Sequence, residues 1–187
     1  MVHLHFVAAR ADAIKPYLNI VREAELIPLN VDIDIFAIQR VIQYLKHIKR
    51  IDSFSWCNQD FFLIEIDAIM LRCFYVARGT CEVSWKGNIP CSIKMEHEKI
   101  AESIHRLVSE VQHDFLQYAP YEILLTGDNT DNTLAFHVQQ HTQVPTSILN
   151  PLNVFSIGNG IDPQALQKVA PAMLIPMGLV LRQDKPC

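Results

Sequence analysis

Two short clusters contain residue types that could bind a metal ion or a phosphate, namely carboxylates and a Thr-Gly pair. Each cluster lies at the end of a predicted buried strand. Their members are Glu65, Asp67 and Ala68 in the first cluster, and Thr126, Gly127 and Asp128 in the second. The chemistry they suggest is nucleotide binding by two turns at one edge of a sheet.

The first cluster lacks what a phosphate-binding hairpin requires. Such hairpins use glycine, because backbone N–H groups must approach the phosphate without a Cβ between them. Residues 65–71 (EIDAIML) contain no glycine, serine or threonine, and their two carboxylates repel a polyphosphate. The second cluster keeps Gly127, whose alternative role is to supply a positive φ. We therefore interpret the six residues as a degenerate nucleotide site, and expect neither ATP nor Mg²⁺ as a cofactor.

A second interpretation of the carboxylates is a two-metal nuclease. Glu65 or Asp67, Glu102 and Asp128 would then hold two divalent ions, which activate the attacking and leaving oxygens. The chain has a net charge of −4 and a pI near 6.0, and no stripe of Lys or Arg that would form a groove for a nucleic acid. Nucleic acid is therefore not an expected partner, and the nuclease stays an alternative.

The sequence shows no other catalytic or metal-binding constellation. His137 and His141 are four residues apart on a predicted helix, but no third ligand is identifiable near them, so we interpret them as surface imidazoles and expect no metal. No GxSxG, HExxH or P-loop motif occurs. We therefore expect that the protein is not an enzyme.

Composition indicates a folded protein. Of the 187 residues, 50% are hydrophobic and 19% are charged, which supplies a buried core. The longest nearly apolar run, 170–181, contains two prolines and is too short to span a bilayer. The first ten residues do not resemble a signal peptide, and we expect a cytoplasmic protein.

Residues 51–187 predict a mixed sheet covered by helices. Three sequential strands are expected at 61–66, 70–77 and 81–85, with a turn at 86–88 that leads back to 89–93. Next come a helix at 96–118, a strand at 121–125, a helix at 133–142, a strand at 146–149 and a final helix at 171–181. This βββαβαβα order is that of the ribonuclease-H-like/actin-like half-domain, an α/β fold.

Residues 1–50 predict a βαβα segment. Strands are expected at 3–7 and 29–33, each followed by a helix, at 12–25 and from Asp34. Asp12 and Asp34 are the predicted N-caps. The buried stripes are expected to comprise Ile14, Tyr17, Leu18 and Val21 in the first helix, and Ile38, Val41, Ile42 and Leu45 in the second.

Several segments, in order along nearly the whole chain, resemble the PilM family of type IV pilus assembly proteins, actin-like relatives of the cell-division protein FtsA. The segments are 6–10 (FVAAR), 29–37 (LNVDIDIFA), 88–90 (NIP), 108–115 (VSEVQHDF), 123–127 (ILLTG), 144–145 (VP), 149–151 (LNP), 170–172 (APA) and 177–182 (MGLVLR). The family's opening half-domain with its first phosphate loop has no counterpart, so the chain resembles a truncated or divergent member. Residues 1–50 would then be the end of the family's first domain and its crossing helix.

The resemblance implies a non-catalytic scaffold of a pilus or pseudopilus at the cytoplasmic face of the inner membrane. Its partner would be a PilN-like membrane protein, whose N-terminal tail would be bound near Leu4, Phe6 and the helix that carries Tyr17. A weakly ATP-binding actin-like module is the alternative within the same fold. Because the missing half-domain would leave apolar surface exposed, we also expect a homodimer.

Overall fold

The computed structural model describes residues 8–47, 59–77, 83–90, 95–114, 120–128, 130–155 and 158–182. The chain divides into two compact units, Met1–Asp32 and Ile33–Cys187. The predicted boundary at residue 50 lies outside the described residues, and the assignment of 1–50 to a larger first domain stays a prediction.

The first unit contains one described helix, α1 (Ala11–Glu23). The prediction that Asp12 is the N-cap of α1 is wrong. Asp12 lies in the first turn of the helix, where it pairs with the Arg10 guanidinium. The predicted buried stripe of this helix is wrong: Ile14, Leu18 and Val21 are only half-buried, and Tyr17 is 71% exposed. The strand predicted at 29–33 is wrong: these residues form no strand, and the side chain of Leu29 is 82% exposed. The strand predicted at 3–7 lies outside the described residues.

The second unit begins with α2 (Asp34–His47). Its predicted apolar stripe is confirmed, because all four side chains are buried against one face of the sheet. Asp34 is the first residue of the helix, and its Oδ1 accepts a hydrogen bond from the N–H of Ile35 at 2.9 Å. The carboxylate therefore stabilises the positive end of the helix dipole.

Five strands form one mixed sheet in the order β3-β2-β1-β4-β5. The strands are β1 (Phe61–Ile66), β2 (Met70–Val76), β3 (Val83–Pro90), β4 (Glu122–Gly127) and β5 (Thr146–Ile148). β1, β2 and β3 pair antiparallel, whereas β4 is parallel to β1 and β5 is parallel to β4. This topology confirms the predicted ribonuclease-H-like/actin-like fold.

The turn predicted at 86–88 is wrong, because β3 runs continuously through it. The register with β2 instead shifts by one residue between Cys73 and Phe74, which places Lys86 in a β-bulge between the register pairs Cys73–Gly87 and Phe74–Trp85. A Cβ on Gly87 would lie 3.3 Å from Leu107, so the glycine lets a helix pack closely on the strand. Lysine, glycine and asparagine in sequence are typical of a turn, but here all three lie within β3, where the glycine makes room for the helix.

Helices cover both faces of the sheet. One face carries α3 (His97–Asp114) and α4 (Asn132–Thr142), and the other carries α2 and the C-terminal segment. That segment comprises 3₁₀ turns at Pro151–Val154 and Ala170–Met173, and helices α5 (Pro163–Val169) and α6 (Leu174–Val180). The final helix is therefore shorter than predicted. The side chain of Asp162 caps α5, and Pro163 occupies the first turn of the helix.

Candidate functional site

The first predicted cluster forms the hairpin between β1 and β2, and the hairpin uses its own hydrogen-bond donors. The N–H of Asp67 donates to the carbonyl of Met70 at 2.9 Å. The N–H of Ala68 donates to the carboxylate of Asp67. The backbone N–H groups of Asp67 and Ala68 are thus engaged within the hairpin itself.

The second cluster ends β4 beside the same hairpin, because Glu65 and Thr126 are register partners in the parallel pair. The N–H of Asp128 donates to the carbonyl of Ile66 at 2.8 Å, and the buried hydroxyl of Thr126 donates to the carbonyl of Pro171 at 2.6 Å. The two clusters are therefore adjacent, as predicted, and both donate to the protein itself.

Gly127 is required by the packing of these two turns. Its φ is +98°, and a Cβ at this position would lie 2.2 Å from the carbonyl oxygen of Ile66. Only glycine permits this conformation and this approach. The prediction that Gly127 supplies a positive φ is confirmed.

Glu65 belongs to a network of three charged groups on the α2 side of the sheet. Arg72, its cross-strand partner, donates from Nη2 to Glu65 Oε1 at 2.9 Å and from Nη1 to Asp34 Oδ2 at 2.7 Å. The Glu65 side chain is only 12% exposed. Burial raises the pKa of Glu65 to about 7; Arg72 opposes this rise, whereas the charges of Asp34 and Asp67 add to it.

Two buried polar atoms of this network have no hydrogen-bond partner, namely Oε2 of Glu65 and Nε of Arg72. A buried carboxylate oxygen without a donor favours the protonated form of the acid, because this oxygen is neither solvated nor hydrogen-bonded. The missing hydrogen bond and the raised pKa therefore have the same physical origin.

The carboxylates that the nuclease alternative requires are not brought together. Glu65 points to the face covered by α2, whereas α3, which carries the exposed Glu102, packs on the opposite face. Asp128 is exposed in the turn after β4. Within the described ranges, no group of three or more His, Cys, Asp or Glu side chains is arranged to hold a metal ion.

A third charged cluster joins α3 to α4. The two oxygens of Glu98 lie 2.6 Å from Nδ1 of His137 and 2.8 Å from Nε2 of His141. Hydrogen bonding to His141, with the charges of both imidazoles, holds the pKa of Glu98 below its usual value. The two half-buried histidines therefore both lie within hydrogen-bond distance of a glutamate on the neighbouring helix, and they are not isolated surface groups.

An open cleft of about 400 Å³ lies at the carboxyl ends of β4 and β5. It lies beside the start of α4, and most of the side chains that line it are polar. They are Thr130, Asp131, Asn132, Ile148, Asn150, Asn153, Gln167 and Pro171. Three of these are already engaged: Asp131 accepts from the N–H of Leu134, Asn150 accepts from the N–H of Leu152, and the hydroxyl of Thr130 donates to the carbonyl of Gly127.

Of the residues predicted to bind a partner, only Tyr17 is described; Leu4 and Phe6 lie outside the described residues. Tyr17 and Ile20 lie one turn apart on α1 and are 71% and 63% exposed. The segment after the helix adds Leu26, Ile27, Leu29 and Val31, all exposed. The first unit therefore exposes a group of large apolar side chains to solvent, both on α1 and in the segment that follows it.

Sequence reasoning missed Arg72, Asp34 and Glu98. An arginine among the apolar residues of a predicted buried strand (MLRCFYV) was a usable signal, because a buried cation needs an anion. Since the predicted hairpin is short, its register could have placed Arg72 opposite Glu65. No comparable signal linked Glu98 to His137 and His141.

The fold and the two adjacent turns define the class as an actin-like, ribonuclease-H-like α/β protein. No family model matches the sequence, and no curated protein matches it. Among solved structures, the chain is similar to a chain of the "PilM-PilN type IV pilus biogenesis complex", with a TM-score of 0.64 and 16% identity. The similarity covers 95% of this chain and 60% of that one, so this chain spans about 60% of the length of its solved neighbour.

Two further structures share less of the arrangement. A Bacteroides thetaiotaomicron protein with an actin-like ATPase fold matches with a TM-score of 0.37 and 15% identity, over 61% of this chain and 39% of that one. Thermus thermophilus RuvC in complex with a Holliday junction matches with a TM-score of 0.31 and 16% identity, over 65% and 92% of the two chains. Of the described helices, none is long and apolar enough to cross a membrane.

Proposed function

We propose that this protein is a PilM-like scaffold in type IV pilus or pseudopilus biogenesis, located at the cytoplasmic face of the inner membrane. The observation that carries the proposal is the match to a chain of the PilM–PilN complex over 95% of this chain. The order of the family-like sequence segments along the chain supports the same assignment.

The partner in this proposal is a PilN-like membrane protein, bound through a short apolar tail. The exposed side chains of Tyr17 and Ile20 support α1 as part of the binding surface, because recognition of such a tail requires apolar side chains that are not already buried. The charged groups on this helix are of both signs, so apolar contact would supply most of the affinity.

The test is a binding titration of the full chain with the N-terminal peptide of the PilN-like protein from the same genome. We expect saturable binding that Tyr17→Ala weakens about tenfold, which corresponds to the loss of one buried aromatic contact. Tyr121→Ala is the matched control, since Tyr121 is also exposed but lies in the second unit. No binding by the unmodified chain, or equal loss in both variants, would contradict the proposed partner.

We further propose that the scaffold acts without hydrolysing a nucleotide. The engaged N–H groups of Asp67, Ala68 and Asp128 support this, because a phosphate would have to displace an existing hydrogen bond at each of them. The carboxylate of Asp67 beside them adds repulsion. Gly127 and the neighbouring cleft are the features that favour the alternative, a weak ATP-binding module.

Calorimetric titration with MgATP separates these alternatives. We expect no saturable heat at millimolar nucleotide, and no nucleotide-dependent rise in melting temperature, since a ligand stabilises the folded state in proportion to its binding. Micromolar affinity for MgATP would overturn the non-catalytic proposal while leaving the proposed partner untouched.

A further inference from the structure

The charged network of Glu65, Arg72 and Asp34 connects the sheet to the first residue of α2. Arg72 is the only cation within the network, and it donates to both carboxylates, at 2.7 Å for Asp34 and 2.9 Å for Glu65. Asp34 also accepts the N–H of Ile35 through its other oxygen. The Arg72 guanidinium on β2 thus binds the first residue of α2, Asp34. The same guanidinium also contacts a second anion, Glu65.

The number of negative charges around Arg72 depends on the proton of Glu65. When Glu65 is ionised, its buried Oε2 has no donor, and its charge repels those of Asp34 and Asp67. When Glu65 is protonated, this repulsion disappears and Asp34 is the only anion that Arg72 contacts. The Asp34–Arg72 pair is therefore stronger in the protonated state.

The other described elements packed around Glu65 supply no compensating charge. Its neighbour on β4 is Thr126, whose hydroxyl is bound to Pro171. The segments Ala170–Met173 and Leu174–Val180 contain no charged residue, and Arg40 of α2 donates to the carbonyl of Gly178 instead. The charged groups that face Glu65 are therefore Arg72, Asp34 and Asp67.

We propose that Glu65, Arg72 and Asp34 form a proton-dependent latch, which holds the first turn of α2 against the sheet when Glu65 is protonated and releases it when Glu65 ionises. The pKa of Glu65, raised to about 7, places this change near neutral pH. The latch is independent of the proposed role in pilus assembly.

Amide hydrogen exchange in the full chain tests the latch. The N–H groups of Phe36 and Ala37 both donate to the carbonyl of Ile33, at 3.0 and 3.1 Å, so they report on the first turn of α2. We expect their protection, corrected for intrinsic exchange, to fall about tenfold between about pH 5.5 and about pH 8.5, the loss of one charge-assisted hydrogen bond. The amide of Ile104 in α3 should show no such change.

Variants show whether Glu65 causes the change. Glu65→Gln should keep the high protection at every pH, whereas Glu102→Gln, an exposed change on α3, should retain the wild-type pH dependence. Protection that is flat with pH in the wild type, or that still depends on pH in Glu65→Gln, overturns the proposal.

A direct titration keeps the test decisive if Glu65→Gln does not fold. The carboxyl carbon of Glu65 in the wild-type chain should titrate near neutral pH, and a midpoint in the ordinary range of glutamate overturns the latch. Asp34→Asn should lower the protection of Phe36 and Ala37 at acidic pH to the value that the wild type shows at alkaline pH. Unchanged protection in that variant also overturns it.

Discussion

The side chain of Glu65 connects a buried position to the pH dependence of stability. Its pKa is raised from 4.5 to about 7 in the folded protein, so between these values the folded state holds a proton that the unfolded state has lost. The contribution of Glu65 to the stability of the fold is therefore fully present below about pH 4.5, and it declines as the pH rises toward 7. Each pKa unit corresponds to about 1.4 kcal/mol.

We therefore expect the free energy of unfolding to fall by roughly 3 kcal/mol from Glu65 alone between about pH 4.5 and about pH 8. Urea unfolding at a series of pH values would measure this fall as the difference between the wild type and Glu65→Gln. Glu102→Gln should reproduce the wild-type curve. A constant difference between wild type and Glu65→Gln at all pH values would show that Glu65 has an ordinary pKa.

The ionisation of Glu98 gives the stability of the protein the opposite pH dependence. Its pKa is lowered in the folded protein by His141 and His137, so its contribution is present above the unfolded pKa and is lost as the pH falls through the lower, folded value. Glu98→Gln should lower the melting temperature at neutral pH, and this difference should disappear in acid. The exposed Glu102→Gln on the same helix is the control, and equal effects of the two changes at neutral pH would contradict the expectation.

Sequence reasoning at the residue scale succeeded where a local rule decides the outcome. Gly127 is the example, since a glycine has no Cβ and so permits a positive φ wherever a turn requires one. It failed for Arg72 and Glu98, whose partners lie on other elements: Asp34 is far from Arg72 in the sequence, and so is His141 from Glu98. Only the folded chain brings these charges within hydrogen-bond distance.

At the scale of elements, the crossing of α2 and α6 depends on a glycine. A Cβ on Gly178 would lie 2.1 Å from the carbonyl oxygen of Ala37, so the two helices meet backbone to backbone. Arg40 Nε, on the same helix as Ala37, donates to the carbonyl of Gly178 at 2.8 Å. An added methyl group would have to separate the helices and lengthen this hydrogen bond.

We expect Gly178→Ala to lower the free energy of unfolding by about 2 kcal/mol, despite the better helix propensity of alanine. Chemical denaturation measures the change. Gly158→Ala is the matched control, because no atom lies within 4 Å of its added Cβ, and it should change stability by less than about 0.5 kcal/mol. Similar losses of unfolding free energy in both variants would contradict the expectation that the close crossing of α2 and α6 requires a glycine.

Periodicity predicted the elements whose own side chains form the core. The stripe of α2 and the nearly continuous apolar run of β1 are both buried as expected. It failed at 29–33, where alternation is typical of a half-buried strand but these residues form no strand. Alternation shows that a segment is suited to a sheet; pairing also requires a neighbouring strand with a free edge.

At the scale of the whole molecule, the apolar side chains of the first unit favour self-association. Ile27 and Leu29 are each 82% exposed, and burial of such side chains contributes about 25 cal/mol per Å². We expect the isolated chain to form a dimer, measured by light scattering after size-exclusion chromatography. A strict monomer at high concentration would contradict this expectation.

A pair of variants tests which surface forms the contact between the two copies in the expected dimer. Leu29→Asp should convert the dimer to a monomer, because it places a charge in the buried interface. Val180→Asp should leave the dimer intact, since Val180 is 85% exposed but lies on α6 in the second unit. The reverse outcome would place the contact on the C-terminal helix.

The bulge in β3 has a consequence for how several copies could assemble. β3 is the outermost strand on its side of the described sheet, where Lys86 interrupts the regular pairing and Pro90 lacks an N–H to donate. An irregular, charged border of this kind is a poor template for another chain's strand. Edge-to-edge pairing of many copies into fibrils is therefore disfavoured on this side of the sheet, even at high protein concentration.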